Sequence, residues 1–393
     1  MARGAEPRAV SGNDSMSAHI RYGIIGCGSM GREHIENIQA LPRTEGGASV
    51  TALADPHGPS RDAALAISRD GPRVFGDHRE LLASGLCDAV VIATPNFTHA
   101  AMMRDALAAD VHILAEKPIV TRIADGVELV DLERRREGRP RVVWVAQEYR
   151  YMPPVAEAIR MTREGAAGRV QQVTIREHRE PFYPKVGDWN RFSANTGDTL
   201  VEKCCHYFNL MDLIVGERPL RVFASGGQRV NHLDERYGGR TPDILDSAYA
   251  IVEYGSGARA MLELCMYAEN SVDSEHLTIV GDEGKIESLL PSLTLRYGRR
   301  ADWGRREVWG QPSGTGRGVS VRRVWDTNIR YPGQHFGASY IEHLRFAEAM
   351  REGKPAEIPL EEGLRAVATG LAAHRSIDEG RPVALSEILP AGW

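Results

Sequence analysis

Gly26-Cys27-Gly28-Ser29-Met30-Gly31 spaces three glycines as G-x-G-x-x-G. An apolar run, Ile24-Ile25, enters this stretch and a helical pattern leaves it. In that setting the first glycine permits a tight turn and the second lets a pyrophosphate approach the backbone. The third lets strand and helix pack closely. The helix N-terminus adds free N–H groups and the positive end of a dipole, so the chemistry is anion binding. Gly26, Gly28, Ser29, Met30 and Gly31 are therefore expected to hold the phosphates of a dinucleotide. The next apolar run, Val50–Ala54, ends at Asp55. A carboxylate there accepts both hydroxyls of an adenosine ribose and repels a 2′-phosphate. No arginine follows directly (Pro56, His57 and Gly58 do), so NAD is expected rather than NADP. The loop-to-Asp55 spacing is longer than usual, and Leu41–Ala48 is the expected insertion.

A second group of residues suits a polyhydroxylated ligand. The stretch from His178 to Asn195 mixes aromatic and hydrogen-bonding side chains, among them Tyr183, Lys185, Trp189 and Arg191. Aromatic faces pack on the apolar face of a pyranose or cyclitol, and flanking polar groups fix its hydroxyls. His178, Trp189 and Arg191 are expected substrate contacts. Tyr149 and Arg150, at the join between two expected domains, are expected to look toward the same cleft.

From about Arg21 to Asp378 the chain resembles the glucose–fructose oxidoreductase, inositol dehydrogenase and MocA-like group. The resemblance rests on the glycine loop, on Ala93-Thr94-Pro95-Asn96 with His99, and on Glu116-Lys117-Pro118. It implies that Lys117 reaches the active site before a cis proline. It also implies that Thr94, Pro95, Asn96, His99, Glu116 and Lys117 line the cofactor. Thr196 to His206 is similar to the family's helix carrying Asp-x-x-x-His, and His206 falls where the family has its catalytic histidine. Glu202 stands in place of the aspartate and lengthens the arm by one methylene.

Oxidising a secondary alcohol needs hydride transfer, which a nicotinamide performs, and a base for the hydroxyl proton. His206, with an ordinary pKa of about 6.5, suits reversible proton transfer. Lys117 can hold the reacting oxygen and stabilise developing alkoxide charge. A buried lysine of low pKa can also act as base, so the two assignments stay open. Glu202 and His206 are four apart and share a face of one helix, where the carboxylate can orient the imidazole or meet a hydroxyl. Asn209 lies on that face too, whereas Lys203 points about 100 degrees away from Glu202. Adjacent helical residues diverge, so Cys204-Cys205-His206 is not expected to bind a metal.

These side chains need a scaffold. Strands are expected at Tyr22–Ile25, Val50–Ala54, Ala89–Ala93, His112–Leu114 and Val142–Val145. Helices are expected at Met30–Ala40, Arg61–Ser68, Thr98–Ala108 and Ile123–Arg136. Such alternation means a parallel, doubly wound α/β Rossmann domain over residues 21–150. Residues 151–393 form an α+β substrate-binding and oligomerisation domain with an open, mostly antiparallel sheet. Its expected helices are Pro154–Arg163, Thr199–Val215, Ser339–Arg351 and Leu360–Asp378, and the last two can pack back on the first domain. Strands are expected at Val170–His178, Leu220–Ser225, Ser247–Tyr254, Arg259–Met266, His276–Gly281 and Gly284–Ser288. Residues 1–20 read as a disordered leader and residues 300–334 as a long loop.

Composition agrees with this class. The 393 residues carry a net charge of −5, which gives no basic footprint for nucleic acid. No run of about 18 apolar residues is present, so no membrane span is expected. The five cysteines show no disulfide spacing, which fits a reducing cytoplasm. An open sheet needs cover, so a homo-oligomer, dimer or tetramer, is expected. Besides an NAD-dependent dehydrogenase of a cyclitol, sugar or glycoside, two other activities suit these residues. One is an enzyme that retains NAD, glycosidase-like or an internal oxidoreductase. The other is a nucleotide sensor with an inactive site.

Overall fold

A computed structural model describes residues 19–42, 46–138, 140–302 and 318–393. Residues 1–18 of the leader expected at 1–20, part of the insertion expected at Leu41–Ala48, and part of the loop expected at 300–334 lie outside these residues, and Ile20 belongs to the first strand. The N-terminal domain alternates as expected. It runs β1 (Ile20–Ile25), α1 (Ser29–Ala40), β2 (Ala48–Ala54), α2 (Gly58–Ile67), β3 (Arg73–Phe75), α3 (His78–Ala83) and β4 (Ala89–Ile92). It continues with α4 (His99–Ala108), β5 (His112–Glu116), α5 (Ile123–Arg134) and β6 (Val143–Ala146). The six strands are parallel in the order β3-β2-β1-β4-β5-β6. The order reverses between β1 and β4, the place where open α/β sheets bind ligands. β4, Ala89-Val90-Val91-Ile92, is buried throughout because helices cover both faces. β3 and α3 were not anticipated. Arg73-Val74-Phe75 is too short to show a period, and α3 rests on its Asp77 cap, whose carboxylate accepts from Arg79 N at 2.7 Å.

The second domain opens with a short 3₁₀ turn at Glu148–Tyr151, then α6 (Pro153–Arg163) and β7 (Val170–His178). Three helices follow: α7 (Ser193–Thr196), α8 (Thr199–Glu202) and α9 (Cys205–Val215). Next come β8 (Pro219–Gly227), β9 (Ser247–Tyr254), β10 (Arg259–Cys265), β11 (Glu275–Gly281), β12 (Gly284–Leu290), β13 (Thr294–Arg299) and β14 (Val319–Arg323). The chain closes with α10 (Ala338–Glu352), α11 (Leu360–Glu379) and β15 (Val383–Ala384). The nine-stranded sheet runs β14-β13-β12-β11-β7-β10-β9-β8-β15, with β7 and β10 its parallel pair. β14, exposed throughout, alternates only over Val319-Ser320-Val321, too briefly to stand out from a Gly- and Arg-rich segment, which is why it reads as loop in sequence.

The helix expected over Thr199–Val215 is broken. Lys203 N and Cys204 N both donate to Thr199 O, at 3.0 and 3.3 Å, the second spanning five residues and widening the turn. This break separates Glu202 from His206. α10 and α11 pack against the Rossmann domain, where Phe346, Leu364 and Val367 join the first core. Trp144 of β6 donates its indole N–H to Glu342 of α10 at 3.2 Å. No described helix is long and apolar enough to cross a membrane.

Candidate active site

The glycine turn sits at the β1–α1 junction. Gly26 has φ +96°, and a Cβ there would lie 2.5 Å from Ala93 O. A Cβ on Gly31 would lie 1.9 Å from Gly26 O, so this close approach admits only hydrogen. Around Gly28, by contrast, a Cβ would meet no atom within 4 Å, and no side chain caps α1. The turn therefore presents open space in front of the free N–H groups of Ser29 and Met30, a cradle of the shape a pyrophosphate fills. Asp55, at the end of β2, accepts from Cys27 N at 2.7 Å and from His57 N at 2.7 Å. Its carboxylate is thereby fixed beside the turn. Arg61, which the sequence spacing passed over, donates to the Asp55 carbonyl.

Two loops at the carboxyl ends of β4 and β5 form the floor. His99 is buried, with Nδ1 2.7 Å from Pro118 O and Nε2 2.8 Å from Thr94 O. Both nitrogens are engaged, so His99 ties the two loops together and offers no free group to a cofactor. That corrects its expected role. Thr94 and Pro95 are likewise held from within by the Thr98 hydroxyl, 2.7 Å from Thr94 Oγ1 and 2.7 Å from Pro95 O. Glu116 is buried between His34 Nε2 at 3.0 Å and Lys117 N at 3.1 Å. Burial works against its charge, but the hydrogen bond and charge of His34 win and hold it below the usual carboxylate range. Lys117 precedes a cis proline.

Lys117 Nζ donates to the Glu202 carbonyl at 3.1 Å, so the ammonium crosses from one domain to the other. Burial disfavours its charge, yet Glu202, Cys205, Glu116 and Glu148 outweigh it and raise its pKa. The ammonium therefore stays protonated. His206 is buried and its ring lies parallel to Tyr149, centroids 3.9 Å apart at 4°. Burial, then the charges of Lys117, Lys203 and His335, push its pKa well below the ordinary value, so the imidazole is neutral. Its Nδ1 makes no hydrogen bond to the protein.

The Glu202 carboxylate accepts from Asn96 Nδ2 instead of turning to His206. Burial raises its pKa against the pull of Lys117 and Lys185. The carboxylate within 4 Å of His206 is that of Glu148, with Oε1 3.7 Å from Nε2. Lys203 turns inward to Glu177 Oε1 at 3.0 Å and to the Tyr149 hydroxyl. Glu148, Glu177 and His335 were missed in the sequence. Glu148 had one signal, its place directly after a parallel strand, where ligands gather. His335 lies in a segment without periodicity.

Several expected substrate contacts belong elsewhere. Arg150 is buried in a cluster with Asn209 Oδ1, 2.5 Å away, and Glu362, where it braces α9 against α11. Its charge demands that partner, so it does not face a cleft. Asn209 also donates to Glu362 at 2.7 Å and is not free to serve His206. His178 alternates away from Glu177 on β7 and pairs with Glu263 at 3.1 Å on the opposite face of the sheet. Trp189 is half-buried against Phe97, edge to face at 6.4 Å, next to Asn96. Arg191 is buried, pairs with Glu235 at 3.0 Å, and keeps Nη1 without a partner. With Phe182, Tyr183, Asn231 and His232 it lines an open cleft of about 440 Å³.

Known proteins match both domains in the same order. Residues 20–145 match the NAD-binding Rossmann fold of an oxidoreductase family, and residues 159–385 match that family's C-terminal alpha/beta domain. A myo-inositol 2-dehydrogenase of Thermotoga maritima is 23% identical over 94% of this chain and 100% of its own. Inositol 2-dehydrogenase 2 of Saccharopolyspora erythraea is 29% identical over 71% of this chain and 76% of its own. Among solved structures, a levoglucosan dehydrogenase in complex with NADH and levoglucosan superposes with a TM-score of 0.79. It is 21% identical, covering 93% of this chain and 99% of that one. With both domains matched in order around one interdomain site, the chain belongs to the Gfo/Idh/MocA oxidoreductase family.

Proposed function

We propose that the protein is an NAD-dependent dehydrogenase that oxidises a secondary hydroxyl of a cyclitol, sugar or glycoside. The observation that carries this reading is that Lys117, reaching the Glu202 carbonyl at 3.1 Å, and His206, stacked on Tyr149, come from different domains to one interdomain site. Lys117 stays an ammonium while His206 stays a neutral imidazole. A charged donor holds the reacting oxygen and stabilises alkoxide character; a neutral imidazole accepts the hydroxyl proton. This assigns the base to His206 and the electrostatic role to Lys117. The turn at Gly26, Gly28, Ser29, Met30 and Gly31 would hold the pyrophosphate, and Asp55 the adenosine ribose. The bound nicotinamide supplies hydride acceptance. Glu202, fixed by Asn96 beside the ammonium, is placed for a neighbouring substrate hydroxyl, and Trp189 for an apolar ring face.

The dehydrogenase names of the Thermotoga and Saccharopolyspora relatives support a polyhydroxylated substrate. The preference for NAD rests on Asp55, whose charge opposes a 2′-phosphate. A homo-oligomer is part of the same reading. β8 and β9 pair Phe223 with Ile251 and Ser225 with Tyr249, and Phe223, Ile251 and Tyr249 are exposed on one face. Such an apolar face calls for a second copy.

The test is NADH formation at 340 nm with NAD+ and a panel of inositols, hexoses and glycosides. Growth with one class, lost in Lys117→Met, is the expected result. Silence across the whole panel, with NAD+ demonstrably bound, would overturn the dehydrogenase reading.

A further inference from the structure

We propose that Glu148 is the positioning carboxylate of His206, and that His335 holds Glu148 in place as its counter-ion. The proposal rests on the dehydrogenase reading for its catalytic consequence, though not for its geometry.

Glu148 is 2% exposed, and its Oε1 lies between two imidazoles. His206 Nε2 is 3.7 Å away and His335 Nε2 is 3.8 Å away. Its Oε2 makes no hydrogen bond to the protein. A buried carboxylate left this way is costly, so its position needs a reason. Catalytic hydrogen bonds are often long before the substrate binds and shorten in the closed complex. An approach of under about 1 Å brings Glu148 into hydrogen-bond reach of both rings. Tyr149 keeps the approach coplanar, stacked on His206 at 3.9 Å and 5.7 Å from His335.

The far side of the chain is anchored in the other domain. His335 Nδ1 is 3.3 Å from Glu33 Oε1 on α1, and the same oxygen accepts from Gln334 N at 3.2 Å. The three rings and two carboxylates thus run from α9 through the Glu148–Tyr151 turn to α1. Around Glu148 stand Glu116 at the end of β5 and Lys117 just after it, and Glu342 of α10 also faces it. Around His335 stand Glu33, Glu148 and Lys203, with Glu275 of β11 beyond.

The charges fit the geometry. Burial raises the Glu148 pKa, His335 and Lys117 offset it only in part, and Glu116 adds to the rise, so the carboxyl stays above its ordinary value. His335 is raised by Glu33 and Glu148 against burial, so it carries a proton where an ordinary histidine has begun to lose it. Closed to hydrogen-bond distance, Nε2–H donating to Glu148 would fix the His206 tautomer, which the 3.7 Å approach already favours. A nicotinamide bound at the glycine turn would take the hydride with its two electrons, and the hydroxyl proton would pass to the His206 imidazole. Glu148 then faces the imidazolium so formed. Glu202, four residues away in sequence, is engaged by Asn96 and cannot do this.

The experiment has two arms on the full-length protein. With ¹⁵N-labelled histidine, NMR reads the His206 tautomer without any substrate. The expected result is Nε2–H in the wild type and in Glu202→Gln, lost or mixed in Glu148→Gln. In the kinetic arm, Glu148→Gln lowers kcat about ten- to hundred-fold with little change in substrate KM, and Glu148→Asp recovers part of the loss. His335→Gln moves the acid limb of kcat to higher pH, because Glu148 loses its counter-ion. An unchanged His206 tautomer in Glu148→Gln overturns the proposal. So does an unmoved acid limb in a His335→Gln protein that still binds NADH. If no polyol turns over, the dehydrogenase reading falls while the NMR arm still decides this one.

Discussion

The Lys117 ammonium, at the end of a Rossmann strand, donates to the Glu202 carbonyl 3.1 Å away in the second domain. One side chain thus joins the cofactor domain to the helix break that carries the imidazole. Removing the charge while keeping the bulk, in Lys117→Met, is expected to lower kcat/KM about 10²- to 10³-fold, the scale of losing one preorganised donor. NADH binding, followed by fluorescence titration, should change little. Equal loss in both would mean that Lys117 holds the cofactor rather than the reacting oxygen.

The pH dependence follows from the low pKa of His206. The base form is neutral and is lost when the pH falls through a pKa below the ordinary 6.5 or so. Oxidation should therefore hold steady from neutrality down past the ordinary histidine range and decline only at lower pH. Lys117, raised, contributes no limb near neutrality. His206→Asn should lose about 10²- to 10⁴-fold in kcat and flatten the acid limb. A decline centred at or above the ordinary histidine value would contradict a depressed imidazole.

Asp55 stands beside the glycine turn with its carboxylate fixed by Cys27 N and His57 N. Asp55→Ser should weaken NAD+ binding and improve NADP+ use. A swing in the ratio of kcat/KM values of about tenfold or more corresponds to about 1.4 kcal/mol. Arg61, already turned to this corner, is available to a 2′-phosphate once the carboxylate is gone. An unaltered NAD+ to NADP+ ratio would remove Asp55 from the ribose site.

Ile251 and Tyr249, exposed on β9, test the assembly. Ile251→Asp puts a charge in the middle of the apolar face without touching the site. Light scattering at micromolar concentration should show a larger species for the wild type and a smaller one for the variant. A wild-type monomer would dismiss the oligomer outright.

The chain's local rules were open to reading. The glycine turn is a matter of backbone spacing, and Gly26 and Gly31 are required by a positive φ and a 1.9 Å approach that no other residue admits. The buried run Ala89–Ile92 and the alternation of β7 and β9 follow from periodicity, so both domains and their order were legible from residue types alone. Tertiary structure decided which side chains meet. A widened turn at Thr199–Cys204 separated Glu202 from His206, although four-residue spacing puts them together on a regular helix. Glu362, some 212 residues from Arg150, drew that guanidinium into a buried pair and away from any substrate. Glu148 and His335 meet from distant parts of the chain, which spacing cannot express, since such contacts depend on how separate elements pack and not on what neighbours each residue in the chain.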